Sequence, residues 1–135
     1  MRDDFPFAID ERTNVVVTSH VALLGLIERL GLWLIEEGVG FATIDGPGIR
    51  NFVQLMIGSD GKLYVESSKA GDLAERGEEG WNTKWEFLGG REMSGEPGQE
   101  RMAAEMLTRA FVELHDLELP TSLSVYVSRA NAEAP

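Results

Sequence analysis

The chain has 135 residues, 43% of them hydrophobic, no cysteine and a formal net charge of −11. This length fits a single domain over residues 1–135, since domains commonly contain about 100–150 residues. The missing cysteine excludes disulfide and thiolate chemistry. The negative charge argues against binding nucleic acid or an anionic membrane, because both require a basic surface. An acidic surface is compatible with a basic or hydrophobic protein partner, although it most often serves solubility alone.

Residues 1–17 are mixed in character, and we expect an N-terminal arm containing at most a short strand or helical turn. The arm has no long apolar run before Val15 and is therefore not a signal peptide. The densest apolar stretch, residues 21–35, is interrupted by Glu28 and Arg29 and is shorter than the roughly 20 residues that a bilayer requires. The sequence therefore predicts a soluble, cytoplasmic protein.

Residues 19–37 are predicted to form the first helix, because apolar side chains recur there at three- and four-residue steps. Thr18 or Ser19 suits the N-cap and Gly38 the C-cap. The apolar arc is wide, and Leu26 and Trp33 lie beside its main stripe. We expect this excess apolar surface either to bind a partner, a second copy above all, or to be covered by residues 1–17 folding back.

Three short strands are predicted near residues 39–45, 50–57 and 62–67. Their β-branched and aromatic residues suit a pleated surface, and the turns between them are rich in glycine. Strands joined by such short connections form an antiparallel meander. The meander is therefore the predicted scaffold of the fold.

The segment from residue 68 to residue 98 is rich in glycine and acidic residues, and residues 84–88 are a candidate strand within it. Trp81 and Trp85 either form an exposed aromatic patch for a protein partner or cap the core from a loop. A second, amphipathic helix is predicted over residues 99–116 and a final strand over residues 121–128, followed by a frayed tail at residues 129–135.

These elements predict an α+β fold in which a twisted antiparallel sheet packs against two main helices. The expected core residues are Leu24, Ile27, Leu34, Val53, Leu55, Ile57, Leu63, Val65, Met106, Ala110 and Phe111.

No motif in the sequence identifies a reaction. The adjacent acidic pairs and the two histidines, His20 and His115, lack the clustering that a metal site requires. Glu66 is the most interesting carboxylate, because burial within its strand would raise its pKa. The favoured interpretation is that Glu66 faces the solvated side of the sheet. We therefore predict no catalytic residue, no cofactor and no metal.

Several short motifs resemble the type III secretion chaperone-like family, and in particular its actinobacterial TY-Chap branch. They are Phe52-Val53-Gln54-Leu55, Leu63-Tyr64-Val65-Glu66-Ser67-Ser68, Gly80-Trp81 and Leu119-Pro120-Thr121-Ser122-Leu123. The resemblance covers about residues 20–127. It implies a non-enzymatic, often homodimeric protein that binds other proteins. Residues 70–81 depart from the family pattern, because glycine and acidic residues interrupt the second helix expected there.

The main functional hypothesis is a chaperone-like adaptor that binds a partner protein, with Leu26, Trp33, Trp81 and Trp85 as candidate contact residues and a homodimer as the expected assembly. One alternative is a small hydrolase or transferase that uses Glu66 with His115, which would have to meet within hydrogen-bond reach. Another is an acidic immunity protein that neutralises a toxin by occupying a basic active site.

Overall fold

The computed structural model describes residues 7–47, 51–59, 61–67, 91–93, 98–113 and 116–130. These ranges contain one antiparallel sheet and two helices, so the α+β fold is confirmed. In chain order the elements are β1 Arg12–Val17, α1 His20–Glu37, β2 Gly40–Asp45, β3 Phe52–Ile57, β4 Leu63–Ser67, β5 Arg91–Met93, α2 Gln99–Glu113 and β6 Thr121–Ser128.

The six strands follow the spatial order β1-β6-β2-β3-β4-β5, and every neighbouring pair is antiparallel. The predicted meander is confirmed as β2-β3-β4, with Leu55 opposite both Ala42 and Val65. Strand β6 inserts between β1 and β2, so the last strand of the chain pairs with the first, and β1 lies at the edge of the sheet.

Helix α1 begins and ends at the predicted residues. The Ser19 hydroxyl accepts a hydrogen bond from the Ala22 N–H at 3.1 Å, which satisfies one of the unpaired donors of the first turn. Gly38 adopts a left-handed conformation, with φ of 73°, and donates its N–H to the Leu34 carbonyl at 2.8 Å. A residue with a β-carbon would be strained at this position.

Both helices contribute to a single main core with one face of the sheet. Nine of the eleven expected core residues are buried, whereas Leu24 and Met106 are half-buried and pack against the core. A smaller cluster, formed by Met56 and Tyr64 with half-buried Phe41, lies on the other face of the sheet. We call that face, which carries the alternate residues of each strand, the outer face.

The prediction that Leu26 and Trp33 form a surface for a partner is wrong, because both side chains belong to the core. Leu26 is 8% exposed and Trp33 is 1% exposed. Phe7 and Val17 are buried in the same cluster as Leu26, and the guanidinium of Arg129 lies 6.0 Å from the centre of the Trp33 ring. Leu26 and Trp33 are therefore covered within the chain, and Phe7 and Val17 of the predicted arm belong to the same core, whereas Val21 of α1 is 79% exposed.

The two edge strands of the sheet, β1 and β5, differ from the sequence prediction. The N-terminal arm contains a full strand, β1, that pairs with β6 over six residues. Strand β5 was not predicted, since its three residues, Arg-Glu-Met, carry no strand pattern.

Several predictions concern residues outside the described ranges. They are the candidate strand at residues 84–88, the interrupted segment at residues 70–81 and the two tryptophans, Trp81 and Trp85. Neither of the described helices is long and apolar enough to cross a membrane.

Candidate functional site at the open edge of the sheet

Strand β1 forms one edge of the sheet, and within the described residues no further strand pairs with it. Alternate residues of a strand direct their N–H and C=O groups to opposite sides. Half of the backbone groups of Arg12–Val17 therefore point away from β6. Exposed edges of this kind are normally protected by proline, by charged residues or by a bulge. Apart from Arg12 at its start, β1 has the neutral sequence Thr-Asn-Val-Val-Val.

A groove of about 600 Å³ lies between β1 and helix α1. Its walls are mostly neutral, and they combine apolar side chains with the backbone of the edge strand. The lining residues are Phe7, Thr13, Asn14, Val15, Val16, Val17, Ala22, Gly25, Leu26 and Arg29. The groove and the open backbone of β1 form one continuous surface, which we call the edge site.

The helical wall of the edge site is set by residue spacing in α1. Gly25, Leu26 and Arg29 lie three, four and seven residues after Ala22, so they share one helix face with it. A β-carbon placed on Gly25 would meet no atom within 4 Å. The groove is therefore open because the residues at its centre are small, and a larger side chain at Gly25 would enter unoccupied space.

Arg29 is the one charged residue among the described residues that line the groove. Its side chain is exposed, and within the described residues its guanidinium makes no hydrogen bond or ion pair. Arg12 differs, because it pairs with Asp45 at 2.7 Å and lies 5.9 Å from the centre of the Tyr126 ring on the outer face. The edge site therefore offers one unpaired cation in a protein of net charge −11.

The two faces of β1 differ in exposure. Thr13, Val15 and Val17 are half-buried or buried, whereas the alternate residues are exposed. Val16, on the exposed side, is 70% exposed. A segment added alongside β1 would cover Val16 on the outer face and fill the groove on the helix face, because its own side chains would alternate in the same way.

Glu66 lies in β4, on the outer face of the sheet and close to the edge opposite β1. The strand pairings place Arg12, Tyr126, Thr43, Gln54 and Glu66 in one row across five strands. The Thr43 hydroxyl donates to Gln54 Oε1 at 3.2 Å. Desolvation by burial raises the pKa of the Glu66 carboxyl to about 7. Glu66 is thus half-buried on the outer face, on the same side as Tyr64, which is itself buried.

The enzyme hypothesis depends on the distance between Glu66 and His115, and His115 lies outside the described residues. His20 is exposed at the start of α1 and lines a shallow groove between the two helices. Across the ranges that the structure describes, no group of three or more His, Asp or Glu residues is arranged to hold a metal ion.

The shallow groove between the helices is a second candidate surface, of about 380 Å³. It is mainly apolar, and Val21 at its rim is 79% exposed. Thr108 also lines the groove, and its hydroxyl is buried and has no hydrogen-bond partner within the described residues. Unlike the edge site, this groove offers a partner no open backbone groups, so it supplies fewer features by which a partner would be recognised.

Comparisons with protein-family models, curated proteins and solved structures each found no match. The candidate site is therefore inferred from the geometry of this chain alone. The sequence did not predict the edge site, because Arg12–Val17 falls within the expected N-terminal arm. The alternation of exposed and half-buried residues in β1 does not indicate a binding site until the strand is known to lie at the edge of the sheet.

Proposed function

We propose that this chain is a non-enzymatic protein-binding module, a chaperone-like adaptor that holds an extended segment of a partner protein at the edge site. The observation that carries the proposal is the open edge of β1 lying directly beside a groove that α1 leaves unfilled. A segment bound there would extend the sheet through main-chain hydrogen bonds, and its alternate side chains would enter the groove.

The energetics favour a segment over a globular surface. A single strand lying along β1 would form hydrogen bonds with the half of the backbone groups in this six-residue strand that point away from β6. It would also cover the exposed Val16 side chain. A folded partner would reach these groups only by presenting an edge strand of its own. Main-chain pairing gives affinity with little sequence preference, which suits an adaptor whose clients share a conformation rather than a sequence.

The resemblance to the type III secretion chaperone-like family agrees with this proposal, since that resemblance implies a non-enzymatic protein that binds other proteins. The expected homodimer stays a prediction. Its original basis was exposed apolar surface at Leu26 and Trp33, and both residues are buried, so a second copy would have to use another surface. The cytoplasmic location and the immunity-protein alternative also stay predictions.

The test compares two substitutions at one position of the full chain. Gly25→Trp is designed to fill the groove, whereas Gly25→Ala leaves most of it open; a β-carbon at Gly25 would meet no atom within 4 Å. The probe is a set of fluorescently labelled peptides of about ten residues in which valine and threonine alternate, a length that matches an ordinary strand. Binding is followed by fluorescence anisotropy.

We expect wild-type protein and Gly25→Ala to bind members of this set with similar affinity, and Gly25→Trp to bind them at least about tenfold more weakly, a loss of about 1.4 kcal/mol. Far-UV circular dichroism and the thermal midpoint establish that the three proteins are equally folded. Equal binding by wild type and Gly25→Trp would contradict the proposal.

A further inference from the structure

We infer that the segment bound at the edge site carries a carboxylate that pairs with Arg29, within a stretch whose other groove-facing side chains are apolar. The inference rests on the proposed function and adds the chemistry by which a partner is selected. Arg29 is exposed, makes no ion pair within the described residues and is the one charged residue lining the groove.

The charge of the whole chain makes an unpaired arginine at this place informative. The protein carries 23 acidic and 12 basic residues, so carboxylates are available to most of its arginines. Arg12, Arg101 and Arg129 each pair with a carboxylate of the same chain, at 2.7, 3.2 and 2.9 Å. Among the described residues Arg29 has no such partner, and none of those that line the groove carries a carboxylate.

The spacing along α1 sets the position of the carboxylate in the segment. Ala22 and Arg29 are seven residues apart on one helix face, which corresponds to about 10 Å along the helix axis. A strand rises about 3.3 Å per residue, and its side chains enter one face at every second residue. Since about 10 Å divided by that rise is about three residues, and only even separations keep both side chains on one face, the carboxylate is expected two or four residues from the apolar side chain that packs against Ala22 and Gly25.

A partner segment fits this surface better than a second copy does. Two copies would bring two net charges of −11 together, and such charges repel at low ionic strength. Each copy would also present β1 with the residues Arg-Thr-Asn-Val-Val-Val, which contain no carboxylate for Arg29. An acidic residue flanked by β-branched residues in a different polypeptide supplies both features.

The experiment scans one glutamate along the groove-facing positions of the valine and threonine peptides, with glutamine and lysine peptides as matched controls. Each is titrated against the full-length wild-type chain and against Arg29→Glu, Arg29→Gln and Arg29→Lys. Arg29 is exposed, so these substitutions are expected to leave the fold intact, and circular dichroism checks this for each protein.

For the wild type we expect one register in which the glutamate peptide binds about three- to tenfold more tightly than the lysine peptide, a difference that shrinks as salt is added. Arg29→Lys keeps this preference, Arg29→Gln removes it and Arg29→Glu reverses it. Equal binding of glutamate and lysine peptides by the wild type would overturn the inference and leave the proposed function standing.

Two further outcomes are distinguished by the same proteins. If no peptide of the set binds, or if binding is unchanged in Gly25→Trp, the proposed function fails as well. If light scattering at micromolar concentration shows a wild-type dimer that Gly25→Trp converts to a monomer, the edge site belongs to a second copy, and the inference of a carboxylate-bearing partner is overturned.

Discussion

Gly31 of α1 lies directly against Glu100 at the start of α2. A β-carbon at Gly31 would stand 3.1 Å from the Glu100 Cβ and 3.3 Å from its Cα, closer than side chains normally approach. The missing side chain at Gly31 therefore allows the two helices to pack together over the sheet. Gly25, six residues earlier in the same helix, has only empty space beside it.

This contrast predicts opposite effects of one substitution at two positions of the same helix. Gly31→Leu is expected to lower the free energy of unfolding by about 1–3 kcal/mol, because it overpacks the contact between the helices. Gly25→Leu is expected to leave stability unchanged or raise it by up to about 1 kcal/mol, because leucine favours helix more than glycine does. Urea denaturation of the two variants measures both values, and similar losses in both would contradict the packing described.

Phe111 is fully buried in the core on α2. We predict that Phe111→Ala lowers the free energy of unfolding by about 3–5 kcal/mol, because the substitution removes a large apolar side chain and leaves a cavity. Met102→Ala is the matched control on the same helix, since Met102 is 49% exposed and its truncation should change stability by less than about 0.5 kcal/mol. A loss below about 1 kcal/mol for Phe111→Ala, against the 3–5 kcal/mol expected, would show that the helix is phased differently.

Glu66 predicts a pH dependence whose sign is fixed by the direction of its pKa shift. The folded pKa of about 7 lies above the ordinary value of 4.5, so the unfolded chain releases this proton more readily. The contribution of Glu66 to the free energy of unfolding is therefore greatest below pH 4.5. It falls as the pH rises towards 7 and is constant above pH 7.

Glu66→Gln removes this titration while keeping the shape of the side chain. Relative to wild type, the variant is expected to gain about 1–3 kcal/mol of stability between acidic and mildly alkaline pH, allowing for the partial exposure of the carboxyl. Denaturation series at several pH values measure the difference between the two proteins. A difference that does not change with pH would show that Glu66 has an ordinary pKa.

Most of the fold was predictable because its signals are local. The alternation in β3 and β4, the Ser19 and Gly38 caps and the spacing in α2 all depend on residues close together in sequence, and the structure confirms the elements that they predict. The phase of α1 was less predictable. Its apolar arc is wide, and the position of Trp33 in the core depends on Arg129 and on neighbouring strands far away in the chain.

The edge site was not predictable from the sequence, because it depends on strand order. Whether Arg12–Val17 is an edge or a central strand is decided by β6, more than a hundred residues later, which pairs with β1 on one side and with β2 on the other. The same residues in the middle of the sheet would have no open backbone. Likewise, Gly25 can be recognised as part of a groove only once β1 is known to lie beside α1.

Amide hydrogen exchange of the full chain, with and without a saturating valine and threonine peptide that carries glutamate, tests the edge site most directly. We predict that the bound peptide slows exchange of those amides in β1 that point away from β6, with smaller changes along the Ala22 to Arg29 face of α1. The β1 amides bonded to β6 should change little and serve as an internal reference. Protection confined to the groove between α1 and α2, with β1 unchanged, would contradict binding at the edge of the sheet.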